Sequence, residues 1–343
     1  MIAEAVAQVR INAGAKQFDA PIGANLLDFL DSEGIHLPSA CGSRGRCGLC
    51  RVRVLGGGGE VSSHERLRLT QREFDRGFRL ACQTIIDGPL DIDIAPEFLA
   101  SRRYLGSVIG KRLVAPRILE LVIGLDDPPR IAFHPGQYIL LSCTPDPSAP
   151  PLWRAFSLAS SIDEEGQIRL LLRRNGACTG WVFDVVREGD SLTFMGPRGT
   201  AYVRNTMDPV LLIAGGSGMA PARSIVRSLH DQHVARKVRL YFGAVTRADL
   251  LYWDEMCLLE QQMPDFKFIP ALSGEPSESD WSGERGLITE VIDRNLPSDS
   301  SAFEAYLCGK PEMVDACVPI LARKGIPKER MAFDYFRSAR PLK

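Results

Sequence analysis

Three of the chain's nine cysteines, Cys41, Cys47 and Cys50, fall within ten residues, and Cys82 follows after 31 intervening residues. Four thiolates in a C-x5-C-x2-C pattern with a distant fourth can hold one zinc ion or an iron-sulfur cluster. A structural zinc site usually pairs two short hooks of two cysteines, whereas three ligands on one loop match a [2Fe-2S] centre. The spacing therefore favours the cluster. Gly42, Gly45 and Gly48 lie in the same loop. Lacking a Cβ, they let backbone N–H groups turn toward sulfur and stabilise the more negative, reduced centre.

The 343 residues suggest two or three domains at ~150 residues each. With 41 basic and 42 acidic side chains the formal net charge is -1, which gives no reason to expect nucleic acid. No stretch approaches the ~18 apolar residues of a membrane span, and Glu4 and Arg10 interrupt the start where a secretory signal would be apolar. A cytoplasmic protein with no persistent disulfide is the expectation.

Residues 1–97 read as a small β-rich unit: a hairpin from Val6 to Phe18, a helix from Asn25 to Gly34, then alternating RVRVL and LDIDI around the cysteine loop. Residues 98–205 show strand-length runs punctuated by Gly and Pro (ILELVIGL, GQYILLSC, FSLAS, IRLLLRR, SLTFMGP) with one helical run, WVFDVV, and suit an antiparallel barrel. From 206 to 343 apolar strands alternate with helices, as in a doubly wound parallel sheet. The fold class expected is thus multidomain α+β and α/β, with a β-grasp-like first domain.

Residues 5–95 resemble plant-type and adrenodoxin-like ferredoxin domains, in IHLPSAC before the loop and RLACQ around Cys82; the five residues between the first two cysteines match the adrenodoxin-like pattern. The resemblance makes Cys41, Cys47, Cys50 and Cys82 the ligands of a [2Fe-2S] cluster.

Residues 98–205 resemble the FAD domain of the ferredoxin-NADP reductase superfamily. Arg154-Ala155-Phe156-Ser157 matches its R-x-Y-S motif with one change, and FHPGQY and GPRG are further landmarks. The resemblance implies that Arg154 holds a diphosphate and that the Ser157 hydroxyl reaches the flavin near N5. Phe156 stands where the family has Tyr: its ring can stack on the isoalloxazine but has no hydroxyl to donate. Gly176-Ala177-Cys178-Thr179 resembles the second phosphate motif, with backbone donors and a hydroxyl at a helix N-terminus, which points to FAD.

In VLLIAGGSGMAP, Gly215, Gly216 and Gly218 occupy a strand-to-helix turn where backbone can approach a pyrophosphate. LCGKPEM resembles the C-G-x-P-x-M motif of the same superfamily, which implies that Cys308 and Gly309 lie beside the nicotinamide. Asp249 is a candidate ribose partner and Arg247 a candidate 2′-phosphate partner; similarity to NADH-using relatives favours NADH. AFDYF at 332–336 resembles the aromatic tail that covers the flavin in relatives, with Phe336 as the covering ring. Ser157, Cys308 and Phe336 form the expected catalytic set. Cys143, Cys257 and Cys317 carry no motif and read as small buried hydrophobes, and the five histidines show no ligand spacing.

NADH gives two electrons as hydride and a [2Fe-2S] centre accepts one, so a flavin must stand between them. The whole chain resembles the NADH-dependent reductase components of bacterial multicomponent oxygenases. That resemblance implies FAD, a [2Fe-2S] cluster and NADH as cofactors, and a diiron monooxygenase, Rieske dioxygenase or other acceptor protein as partner. The sequence also resembles the flavin subunit of sodium-translocating NADH:quinone reductase, which carries an added membrane helix. A soluble relative of that subunit is the alternative, and a non-catalytic redox sensor or carrier a third reading. Arg44, Arg46, Arg51 and Arg53 are read either as a docking rim for an acidic acceptor or as a solvated face balancing the cluster's charge.

Overall fold

The structure, a computed structural model, describes residues 5–35, 37, 44, 45, 48, 50–95, 98, 99 and 101–336. The chain divides into two compact units, one running to Arg103 and including Leu152–Arg154, the other holding the remainder.

In the first unit, strands β1 (Val6–Ile11) and β2 (Lys16–Pro21) form the expected antiparallel hairpin. Asn12 and Ala13 turn it with positive φ of 51° and 54°. The Asn12 side chain exchanges hydrogen bonds with the backbone of Ile94, at 2.9 and 2.8 Å, and so pins the turn to the far end of the unit. The helix Leu26–Ser32 starts where the Asn25 side chain accepts from the Leu27 and Asp28 N–H groups, and it buries Leu26, Leu27, Phe29 and Leu30. Strands β3 (Arg51–Gly56), β4 (Phe78–Leu80) and β5 (Leu90–Asp93) complete a sheet of order β2-β1-β5-β3-β4, parallel only at β1/β5. The charged stretch after the glycine run, for which no helix was expected, forms two short helices, Ser63–Arg66 and Gln71–Asp75. Each opens on a capping box, Ser62 with Glu65 and Thr70 with Glu73.

Two six-stranded sheets follow, and apart from residues 102, 103 and 152–154 their strands belong to the second unit. Strands β6 (Arg102–Ala115), β7 (Ile118–Asp127), β8 (Tyr138–Cys143), β9 (Leu152–Ser157), β10 (Gln167–Arg173) and β11 (Ser191–Arg198) are ordered β10-β7-β6-β11-β8-β9, the antiparallel sheet expected of residues 98–205. Strand β6 has no counterpart among the expected strands, because its register shifts against β7 and its many exposed residues blur the period-two pattern. Strand β9 also begins four residues before the expected FSLAS run.

The second sheet comprises β12 (Val210–Gly215), β13 (Val238–Ala244), β14 (Phe266–Leu272), β15 (Glu284–Arg285), β16 (Glu304–Gly309) and β17 (Met331–Tyr335). All pairs are parallel, in the order β15-β14-β13-β12-β16-β17. Strand order reverses at β12, with β13 to β15 added on one side of it and β16 and β17 on the other, so the crevice for a ligand opens at the carboxyl ends of β12 and β16. The aromatic tail read as a cover is largely this edge strand β17. Ile118, Ala159 and Leu171 share one core with Val210, Leu212, Ile225 and Tyr306, which explains why the flavin and nucleotide lobes form a single unit. The buried Arg223 also joins them, donating to the Ala159 carbonyl, Glu164 and Glu255.

One expectation fails outright. Cys143 at the end of β8 and Cys178 in the helix Ala177–Asp184 form a disulfide, with Cα atoms 5.4 Å apart and a sequence separation of 35. Neither an inert Cys143 nor a disulfide-free chain survives, because an argument from compartment says nothing about which cysteines the fold brings together. Among the described residues, no helix is long and apolar enough to cross a membrane.

Candidate functional site

Of the four expected cluster ligands, Cys41 and Cys47 lie outside the described residues. Cys50 immediately precedes β3 and Cys82 sits in the turn Ala81–Gln83 after β4, and both are buried. The Ala81 N–H donates to the Cys50 carbonyl at 2.8 Å, which holds the two segments together. The Cys82 thiol is drawn down to about 6, first by its hydrogen bond with Cys50, against burial, then by the Gln83 side chain and the Gly45 N–H. Gly45 has φ +67°, and a Cβ there would press on His64 and Gln83 at 2.8 and 2.9 Å. Adjacent buried thiols with amide donors directed at sulfur suit the thiolate ligands of an iron-sulfur group.

Strand β9 presents Arg154, Phe156 and Ser157. Arg154 is half-buried and donates to the Trp153 carbonyl at 2.9 Å. Gly176 caps the helix Ala177–Asp184 at φ +103°, and a Cβ placed on it would meet nothing within 4 Å. That opening at a helix N-terminus suits a diphosphate held by backbone donors. The Thr179 hydroxyl accepts from the Asn175 N–H at 2.8 Å and donates to the Gly176 carbonyl at 3.2 Å, so it shapes the turn. Cys178, expected at the cofactor, has its sulfur committed to Cys143, which leaves only its backbone to face a phosphate.

The nicotinamide motifs converge. Gly218 lies so close to β16 that a Cβ on it would overlap the Cys308 carbonyl oxygen and approach the Gly309 N–H. Cys308 pairs in register with Asp334 of β17, whose Oδ2 accepts from the Ser157 hydroxyl at 2.8 Å. The Phe336 N–H donates to the Gly309 carbonyl at 2.8 Å, placing that residue at the same strand end. Burial pushes the Cys308 thiol well up, and the Asp334 charge adds to it. Burial likewise raises Asp334, against the Ser157 hydrogen bond.

Two residues here were missed in the sequence. Asp334, a lone acid among aromatics, aligns Ser157. Arg173 ends β10 with its guanidinium against Gly216, where a Cβ would overlap it, so a cation covers the glycine turn. Asp249 Oδ2 accepts from the Thr246 N–H and hydroxyl, both at 3.1 Å, so the expected ribose partner also closes the turn after β13. Arg247 is paired with Asp280, and its N–H donates to Glu275 at 2.9 Å.

Residues 9–87 match the 2Fe-2S iron-sulfur cluster binding domain, 106–202 the oxidoreductase FAD-binding domain and 212–318 the oxidoreductase NAD-binding domain. A subunit of the Na(+)-translocating NADH-quinone reductase of Methylococcus capsulatus is 31% identical over 98% of this chain and 93% of its own. The chain belongs to the family of ferredoxin-fused FAD/NAD oxidoreductases. The corresponding Klebsiella pneumoniae protein is also 31% identical, covering 95% and 90%. Among solved structures, the reductase is similar to the Amycolatopsis cytochrome P450 reductase GcoB at 28% identity and TM-score 0.77, over 96% of this chain and 98% of that one. It is similar also to the ferredoxin reductase in carbazole 1,9a-dioxygenase, at 27% and 0.71, over 98% and 100%. Its cofactors are FAD, a [2Fe-2S] cluster and NADH.

Two variants probe the nicotinamide end of the reductase. Gly218→Ala forces backbone apart at a cost of about 1–3 kcal/mol. NADH-driven flavin bleaching in a stopped-flow instrument is expected to slow by roughly 10- to 100-fold, with flavin content unchanged. Cys308→Ala is expected to slow the same step while the flavin and cluster spectra persist; unaltered kinetics would remove Cys308 from the site.

Proposed function

We propose that the reductase passes electrons from NADH through FAD and the [2Fe-2S] cluster to a partner oxygenase in the cytoplasm, either a diiron monooxygenase or a Rieske dioxygenase. The observation that carries this reading is the meeting of Ser157, Asp334, Cys308, Gly218 and Phe336 at the carboxyl ends of β12 and β16. When bound, the flavin supplies the conversion between a two-electron donor and a one-electron cluster.

The chain's own residues divide the remaining work. Arg154 and the turn Gly176–Thr179 would bind the FAD diphosphate, Phe156 would stack on the ring system, and Ser157, held by Asp334, would place its hydroxyl oxygen at the flavin. Gly215, Gly216 and Gly218 admit the nucleotide pyrophosphate, with Arg173 as its counter-charge and Asp249 beside the ribose. Cys308 and Gly309 would form the wall against the nicotinamide, and Phe336 would supply the ring that covers the flavin. The Arg247–Asp280 pair and the nearby Glu275 support NADH over NADPH, since a 2′-phosphate would have to compete for Arg247 beside a carboxylate. NADH is expected to give the higher kcat/KM; a preference for NADPH would contradict that assignment.

The likeness to GcoB and to the carbazole dioxygenase reductase supports an oxygenase as acceptor. The 31% relatives favour a second reading, a soluble relative of the quinone reductase component. Catalytic reduction of cytochrome c by NADH and holoprotein is expected under both, and binding without turnover would favour a sensor. Co-purification or direct reduction of an oxygenase component decides between the acceptors; reduction of a quinone reductase component in its place would overturn the oxygenase reading.

A further inference from the structure

We propose that Arg66-Leu67-Arg68, flanked by Arg44 and Arg72, is the surface on which the reductase docks its electron acceptor, and that the acceptor presents carboxylates around a small apolar socket. This rests on the electron-transfer reading above and names the chemistry of its partner.

Leu67 is 77% exposed, the most exposed large apolar side chain among the described residues. Its presentation is built rather than accidental. Glu65 and Leu69 on either side are buried, and the Arg68 and Leu69 N–H groups both donate to the Glu65 carbonyl at 2.9 Å. The chain from 66 to 68 is therefore held outward as a short fixed turn.

The turn lies on the cluster loop. The stem of Arg68 covers Gly48, within 3.5 Å of where a Cβ would stand, and His64 covers Gly45. Leu67 is thus the sequence neighbour of a residue packed on the loop whose sequence carries the expected cluster ligands.

Charge gives the patch its sign. Arg44, Arg66, Arg68 and Arg72 are exposed and form no ion pair among the described residues. Of the rim read from the sequence, Arg51 is tied to Glu73, and Arg53 to Asp93 and the Arg76 carbonyl, so those two are engaged within the unit. The cationic surface therefore shifts onto the turn. In a chain whose charges nearly cancel overall, four guanidinium groups with no ion pair among the described residues attract an acidic partner and set its orientation. Each exposed pair adds little affinity, which suits an acceptor that must leave after one electron. A single leucine on a four-residue helix end offers too little apolar area for a lipid surface, so a protein is the occupant favoured.

The test uses holoprotein, NADH and two haem proteins of opposite charge, the acidic soluble domain of cytochrome b5 and the basic cytochrome c. Arg66→Glu/Arg68→Glu is expected to lower kcat/KM for cytochrome b5 by about tenfold or more at low ionic strength. It is also expected to flatten the salt dependence, weaken cytochrome b5 binding in calorimetry and raise the rate with cytochrome c. Leu67→Ser is expected to weaken cytochrome b5 binding several-fold without changing the salt slope. Flavin bleaching by NADH and the reduced-cluster EPR signal stay as in the parent protein. Unchanged rates and binding in both variants would overturn the docking surface, as would loss of binding to phosphatidylglycerol vesicles with cytochrome b5 kinetics intact. Absence of NADH bleaching in the parent protein would count against the electron-transfer reading itself.

Discussion

Replacing Cys50 by alanine is expected to strip the cluster from the protein while NADH still bleaches the bound flavin. Cys50 is buried, and its carbonyl already anchors the Ala81 N–H beside Cys82, so alanine keeps the backbone contact and removes only sulfur. Without that sulfur the Cys82 thiol also loses the largest influence that lowers it, leaving a weaker ligand. Phe156, Ser157 and Gly176, proposed to hold the flavin, belong to a separate compact unit with its own core. The expected result is a protein with a flavin spectrum alone, normal reduction by NADH, and cytochrome c reduction at background. Loss of flavin from the same variant would contradict the division of labour between the units.

Glu65→Ala is expected to destabilise the ferredoxin unit by about 3–5 kcal/mol, because it leaves a buried guanidinium without its counter-charge. Glu65 is fully buried; Arg79 donates to it at 2.8 and 3.1 Å, and the Leu80 and Ser62 N–H groups donate at 3.0 and 2.8 Å. Arg79 also donates to the carbonyls of Gly58, Gly59 and Glu60. One carboxylate thus fastens β4 to two loops, and Cys82 lies two residues beyond β4. Thermal denaturation followed by cluster absorbance is expected to show a lower midpoint, with Glu65→Gln losing less.

The same site sets an acid limit. Burial alone would raise the Glu65 carboxyl, but the hydrogen bonds from Arg79, Leu80 and Ser62 outweigh it and hold it below the ordinary glutamate range. A lowered folded value means that the contribution is complete above the unfolded value and disappears as pH falls through the folded one. Acid denaturation of the cluster is therefore expected to shift to higher pH in Glu65→Gln. An unshifted acid midpoint would assign the limit to other groups.

Much of this arrangement was legible because its signals are local. Asn25 capping Leu26–Ser32, the hairpin turn at Asn12, the glycine turn after β12 and the cysteine spacing each depend on residues a few positions apart. Where partners are distant, the sequence is silent. Asp334 meets Ser157 across 177 residues, and nothing near either one announces the pairing. Cys143 and Cys178 carry no mark of their disulfide until β8 and the helix Ala177–Asp184 are packed together. Arg51 and Arg53 read as free cations until the fold supplies Glu73 and Asp93. Strand β6 was obscured by exposure of both its faces over much of its length, and its place is set by pairing with β7 and β11.

The central claim is that two-electron donation by NADH ends in one-electron delivery from the cluster. Anaerobic mixing of holoprotein with NADH, followed by visible absorbance and rapid-freeze EPR, tests it directly. The account predicts flavin bleaching first, then a reduced [2Fe-2S] EPR signal that is absent in Cys50→Ala and delayed in Gly218→Ala. Flavin bleaching with a cluster that stays oxidised, or a cluster signal that rises before the flavin bleaches, would contradict it.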